Sequence, residues 1–275
     1  MDWEKIVGLI PEVIEKVRAD YVLSNMIIRD DIFGILEKYC TVVYYPIDDK
    51  KNCGFHTQRF LKDRLVDFVY INTAKTISEQ VFTAAHELGH VWKVAEQVWE
   101  KSGEQGKLDT EVEERIINRF AAELLMPTQE FRETFNAHVK GLDADNDANK
   151  IGFIDMIRVI ALQMNDYMVP YEAVRKRMVE TNIITPNVGE LMRQHENELI
   201  PIIAVFAKEQ NTMLDRITEK KTIPGLRKLV ESAEKSGEVS KYTIAKIKKD
   251  FCLDDILDKY NTVEIHIDGG KHGEN

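Results

Sequence analysis

Apolar and polar positions alternate along this chain with two different periods, and the switches between them mark its elements. Trp3 to Glu37 carries apolar residues at helical spacing, with Pro11 in or near a first helix and DDIFGILEKY reading as a further one. The period then shortens. TVVYYPI at Thr41–Ile47 is a β-branched and aromatic strand, and Cys53–Asn72 holds a loop or strand followed by a strand at Asp67–Asn72. The helical period returns after Asn72. Thr76 and Glu79 stand as T-x-x-E, a capping box, so a helix is expected from about Ile77 to Val98 with Phe82, Ala85, Gly89 and Trp92 as its apolar stripe. A polar loop, KSGEQGKLD, separates it from a second capping box at Thr110 and Glu113. The helix opened there runs from Glu111 to Met126, where Pro127 stops it.

The later chain reads as helix pairs. The first, Ile154–Asn165 and Tyr171–Glu180, has helix-turn-helix spacing. Its second helix mixes both charge signs, which favours a cap packed on the rest of the protein over a DNA reader. The second pair is Ile223–Lys235 and Lys241–Lys249, with Gly237 as a stop and Ser240 as an N-cap. Its last helix is basic, and a solvated face is the expected reading. GLDADNDANK (141–150) lacks the Gly and Glu of an EF-hand loop at Ala148 and Ile154, and is expected to be a surface loop. TVEIHIDGG is a candidate late strand. His266 and His272 are not expected to be ligands. The expected architecture is α+β, a small sheet and one active helix followed by mostly helical segments. The divisions fall at 1–140, 141–190 and 191–275.

Composition narrows the classes. With 44% hydrophobic and 31% charged residues the chain has the make-up of a soluble globular protein. Its first twenty residues are broken by charges and do not form a signal peptide, so a cytoplasmic location is expected. Its net charge of −10 argues against whole-surface nucleic-acid binding. The three cysteines are scattered, without C-x-x-C spacing, which suggests neither a disulfide framework nor a thiolate metal site.

Candidate chemistry is concentrated in His86-Glu87-Leu88-Gly89-His90. The spacing puts two imidazoles one helical turn apart on one face, able to bind one zinc ion, with a carboxylate between them that can reach a metal-bound water. Gly89 costs a helix interior about 1 kcal/mol relative to Ala, which predicts that another backbone passes close by. A third ligand is needed, and the extended H-E-x-x-H-x-x-G-x-x-H pattern fails at Lys93 and Glu96. A glutamate of the next helix is the alternative source. Glu114 is favoured because Asn118 follows one turn later, placed to orient a ligand histidine. Glu113 competes, though it has a rival task as partner of Thr110. Tyr44, Tyr45, His56, Tyr167, Tyr171 and Arg175 are candidates for holding an oxyanion.

HELGH followed by E-x-x-x-N-x-F-A-A-E-L-L-M-P resembles the ImmA/IrrE family of zinc metallopeptidases. The matching residues are His86, Glu87, His90, Glu114, Asn118, Phe120, Ala121, Ala122, Leu124, Leu125, Met126 and Pro127, within a likeness spanning about Ile32 to Ile184. One departure is the pair Ile116-Ile117, where the family usually has Ala and often Glu, and packing is the expected role of both. The resemblance implies a zincin-like core in which His86, His90 and Glu114 hold zinc and Glu87 is the general base. It also implies a protein substrate, a helix-turn-helix transcriptional repressor; no membrane partner is expected, because no apolar run approaches a membrane span. The alternative is a non-proteolytic zinc-containing module of the toxin–antitoxin kind.

Overall fold

A computed structural model describes residues 2–20, 27–61, 63–142, 151–209 and 213–253. The chain opens with α1 (Trp3–Asp20) and α2 (Asp31–Tyr39), then β1 (Thr41–Tyr45), β2 (Gly54–Leu61) and β3 (Arg64–Asn72). These strands form one sheet in the order β1-β3-β2. β1 runs parallel to β3, and β2 pairs antiparallel with β3 in a register that sets His56 opposite Val69 and Phe60 opposite Leu65. β3 is longer than the expected Asp67–Asn72, and β2 settles the ambiguous stretch before it as a strand.

The described residues hold twelve helices besides this sheet, so the fold is α+β. After the sheet come α3 (Ile77–Val91), α4 (Val94–Ser102), α5 (Thr110–Leu125) and α6 (Thr128–Gly141). Then follow α7 (Phe153–Tyr167), α8 (Tyr171–Glu180), α9 (Pro186–Gln194) and α10 (Glu196–Glu209). The single helix expected from Ile77 to Val98 is broken. Lys93 takes a left-handed conformation (φ 53°), and the chain restarts as α4, which packs on α1 and α5. A non-glycine residue there costs about 1–2 kcal/mol. The new direction lets Val94, Ala95 and Val98 be fully buried.

Packing of α3 against α5 forms the centre of the core. Leu88, Ile116, Ile117, Phe120, Leu124 and Leu125 are fully buried there, each side chain contributing about 1.5–3 kcal/mol by leaving water. Ile116 and Ile117 therefore have the packing role expected of them. Gly89 sits at the crossing. A Cβ on it would lie 3.0 Å from Phe120 Cδ1 and 3.1 Å from Ile117 Cδ1. The close neighbours are thus α5 side chains, not the backbone that the glycine predicts.

Farther along, a buried cation ties three helices together. Arg177 of α8 is fully buried and donates to Glu123 (2.5 Å), to the Met126 carbonyl (2.8 Å) and to Thr128 Oγ1 (2.8 Å). Glu123 also accepts from the Thr128 backbone N–H at 2.9 Å, so the end of α5 and the start of α6 share one charge pair. The α7–α8 pair, with its helix-turn-helix spacing, uses its second helix for packing: Ala173, Val174, Arg175, Arg177 and Met178 are all buried.

A distant segment closes α3 at its start. Ile77 and Ser78 donate their backbone N–H groups to the carbonyls of Arg216 (2.8 Å) and Leu214 (3.2 Å). These would otherwise be among the unpaired donors of the first helical turn. The described residues fall into two compact units, divided between Lys221 and Thr222. The second holds α11 (Leu226–Ser236) and α12 (Lys241–Asp250), with Val230 and Ile244 buried. Gly237 is left-handed (φ 69°), and Ser240 accepts from the Thr243 N–H at 3.1 Å, the stop and the cap expected of them. Residues 143–150 of the acidic loop, the late strand, His266 and His272 lie outside the described residues.

Candidate metal centre

The capping box at the start of α3 forms as its sequence dictates. Glu79 N–H donates to Thr76 Oγ1, and the Glu79 carboxylate accepts from Thr76 N–H at 2.9 Å. The helix thus fixed presents His86 and His90 on one face, their ring centroids 5.1 Å apart. α5 crosses that face. Glu114 Oε2 lies 3.2 Å from His86 Nε2, and its Oε1 lies 3.5 Å from His90 Nε2. One nitrogen from each histidine and one Glu114 oxygen all lie within 4.8 Å of one another, a grouping able to hold a metal ion. Two imidazoles and one carboxylate are a donor set that suits zinc with an open fourth position.

The far side of each ring is also engaged. Asn118 donates through Nδ2 to the Glu114 carbonyl at 2.8 Å, which leaves its Oδ1 to accept from His86 Nδ1 at 3.2 Å. In the neutral ring that bond puts the proton on Nδ1 and frees the Nε2 lone pair for a metal; in the protonated ring Nε2 donates to Glu114 instead. Glu113 Oε1 is 3.4 Å from His90 Nδ1. The box expected at Thr110 does not form, because Asp109 is the N-cap, accepting from Glu111 N–H at 2.8 Å. Asp is the stronger cap and stands one residue earlier. Glu113 is thereby released from Thr110 and faces the metal-distal nitrogen of His90. It stands outside the His-His-Glu group.

Glu87 is buried on the side of α3 that meets β2. Burial raises its pKa to about 7, with His86 opposing the rise, Glu114 adding to it, and the His56 backbone N–H opposing it by donating to the carboxylate. Gly54 makes this approach possible: a Cβ there would lie 2.5 Å from the Tyr70 carbonyl oxygen, 2.6 Å from Thr83 Cγ2 and 3.7 Å from Glu87 Oε1. Burial, His86 and His56 push the His90 pKa down, which keeps its ring neutral. His86 is held above the ordinary histidine value: burial opposes this most strongly, but the hydrogen bond to Glu114, the charges of Glu87 and Glu114 and the bond to Asn118 together outweigh it.

Of the oxyanion candidates, His56 comes to the centre. Its ring stacks on His90 at 6.2 Å with an interplanar angle of 8°, and its Nε2 is 2.7 Å from Asp67 Oδ1. Nothing in local spacing pairs His56 with Asp67; the strand register does that, by setting Asp67 opposite Gln58 on the same face. The other candidates are bonded elsewhere. Tyr44 donates to Glu37, Tyr167 shares a hydrogen bond with Thr134, Tyr171 donates to the Met192 carbonyl and Arg175 grips Glu172. Tyr45 has its ring under the Lys221 ammonium, 5.5 Å from the centroid.

A small mixed sheet lying on a helix that carries two histidines, with a glutamate from the next core helix, defines a metallopeptidase-like domain. Residues 38–179, just over half the chain, match the peptidase M78 family model, described as the IrrE N-terminal-like domain. The chain belongs to that family. Among solved structures it is similar to a Mycobacterium tuberculosis transcriptional regulator, at 14% identity and a TM-score of 0.41, over 62% of this chain and 46% of that one. The chain thus spans less than half the length of that regulator. No curated protein matches it. No helix among the described residues is long and apolar enough to cross a membrane.

Proposed function

We propose that this protein is a zinc-dependent endopeptidase that cleaves a regulatory protein at a specific site. The convergence of His86, His90 and Glu114 beside a buried Glu87 carries the reading. Zinc held by these three residues would polarise a scissile carbonyl and make an attacking water acidic. Glu87 takes the proton of that water and delivers it to the leaving amine nitrogen. Asn118 and Glu113 hold the two rings in the tautomers that turn Nε2 inward. His56, braced by Asp67, supports the developing oxyanion. On the family resemblance the substrate is a helix-turn-helix repressor, and a net charge of −10 would steer a basic DNA-binding protein toward this one.

The zinc-loaded protein and its Glu87→Gln variant are incubated with the helix-turn-helix repressor encoded nearest to it, and fragment masses are read. Elemental analysis follows zinc in parallel. One fragment pair from the wild type, none from Glu87→Gln at equal zinc content, is expected. Cleavage by Glu87→Gln at the wild-type rate overturns the mechanism. Tight zinc-dependent binding without cleavage overturns the peptidase reading in favour of a binding module.

A further inference from the structure

Phe60 and Leu65 are opposite each other in the β2–β3 register, and both are exposed, at 73% and 50%. A single exposed apolar side chain is ordinary. A cross-strand apolar pair at the end of an edge strand is not, because such edges invite unwanted pairing. The face on which this pair lies is the informative point. Side chains alternate along a strand, so Gly54, His56, Gln58 and Phe60 share one face of β2. Gly54 meets Thr83 of α3 on that face, and His56 stacks there on His90. Phe60 and its partner Leu65 therefore continue the face of the metal centre past the end of α3.

The edge of β2 points the same way. Asn72 donates its N–H to the Cys53 carbonyl at 2.9 Å, so by alternation His56–Val69 is a non-hydrogen-bonded pair, and the His56 N–H points away from β3, where Glu87 accepts it. In an antiparallel pair, alternate residues direct their backbone groups to the same side, so Gln58 and Phe60 present theirs along that edge as well. An extended peptide lying there would pair with β2 and pass the metal centre at His56. At about 3.3 Å per residue, Phe60 stands about 13 Å, or four residues, from His56.

Resting on the peptidase reading above, we propose that Phe60 and Leu65 form a specificity ledge for an apolar side chain of the substrate about four residues from the scissile bond. Neighbouring residues across a sheet project to the same face, so a substrate residue level with Phe60 lays its side chain on this pair. Leu61, 47% exposed, points to the opposite face and takes no part.

The test compares three zinc-loaded proteins: wild type, the double variant Phe60→Ser/Leu65→Ser, and Leu61→Ser. Each is incubated with the helix-turn-helix repressor encoded nearest to it and with a panel of that repressor's single-residue variants around the cut, and newly formed amino termini are identified by mass spectrometry. Wild-type cuts are expected to carry Leu, Ile, Met or Phe three to five residues from the broken bond. The double variant should keep its zinc and lose that preference, cutting each such site about tenfold or more slowly, as expected for one apolar side chain left in water. Leu61→Ser should cut like the wild type. Wild-type cuts without the preference, or a preference that survives in the double variant, overturn the ledge and leave the peptidase reading standing. An absence of new termini with fully zinc-loaded wild type overturns both.

Discussion

Glu113 Oε1 lies 3.4 Å from Nδ1 of His90, the ring nitrogen that Glu114 does not approach. His86 has the matching arrangement, with Asn118 at its Nδ1. Three residues near the start of α5, at 113, 114 and 118, therefore serve both histidines of α3. Partners of this kind orient a ligand without touching the metal, and their loss typically costs about 10–100-fold in metal affinity. Asn118→Ala and Glu113→Ala are each expected to weaken zinc binding by that factor, whereas Glu114→Ala should lose zinc outright. Competition against a chelator of known affinity measures all three. Equal affinity in wild type and Asn118→Ala would mean that the ring of His86 is oriented by packing alone.

The two glycines near the centre should respond differently to alanine. At Gly54 the added Cβ meets a carbonyl oxygen at 2.5 Å and Thr83 Cγ2 at 2.6 Å, so β2 must move away from α3. Gly54→Ala is expected to lose about 1–3 kcal/mol of stability and to disturb the His56 N–H contact with Glu87. At Gly89 the clashes are side-chain contacts of 3.0–3.2 Å, and alanine adds about 1 kcal/mol of helix propensity. Gly89→Ala should fold about as well as the wild type while spreading α3 from α5, which weakens zinc binding. Urea melts with parallel zinc titrations distinguish the two. A larger stability loss at Gly89 than at Gly54 would contradict this account.

Acid should release the clamp between α5, α6 and α8. Burial raises the Glu123 pKa, but the Arg177 charge and the hydrogen bonds from Thr128 and Arg177 outweigh it, holding the carboxyl below the usual range. A depressed folded-state pKa contributes stability at any pH above the unfolded value, about 4.3, and that stability is lost as pH falls through the folded one. Below that point buried Arg177 keeps only Glu180, 3.3 Å from its Nη1, as a counter-charge. Glu123→Ala should cost about 3–5 kcal/mol near neutral pH. It should also flatten the loss of stability between pH 5 and the acid limit. Urea melts across that range check both, and an unchanged acid slope in Glu123→Ala would remove this pair from the acid response.

Local rules made much of this molecule readable in advance. The Thr76–Glu79 box, the helix carrying HELGH, the strand at Thr41 and the bounds of α8 follow from spacing within a few residues of each other. Glu114 and Asn118 could be singled out because a helix puts positions four apart on one face. What stayed hidden depends on contacts distant in sequence or on competition between neighbours. Lys93 takes a left-handed turn because α4 gains burial on α1 and α5, and nothing at Lys93 announces it. Asp109 displaced Thr110 as cap by one position. α6, α9 and α10 were not foreseen; Pro201 lies inside α10, where proline normally argues against a helix. His56 came to the centre only through strand register, and Leu214 and Arg216 reached α3 from far along the chain.

The left-handed turn at Lys93 has an electrical result. It ends α3 at Val91, one residue past His90, so the peptide dipoles of α3 add up to roughly half a negative charge beside the second histidine. A helix continued to Val98 would have carried that pole about two turns farther away. Ending here, α3 leaves its electronegative end within a turn of His90, close to the place where a divalent cation would be held. It contributes attraction for the ion that no side chain supplies.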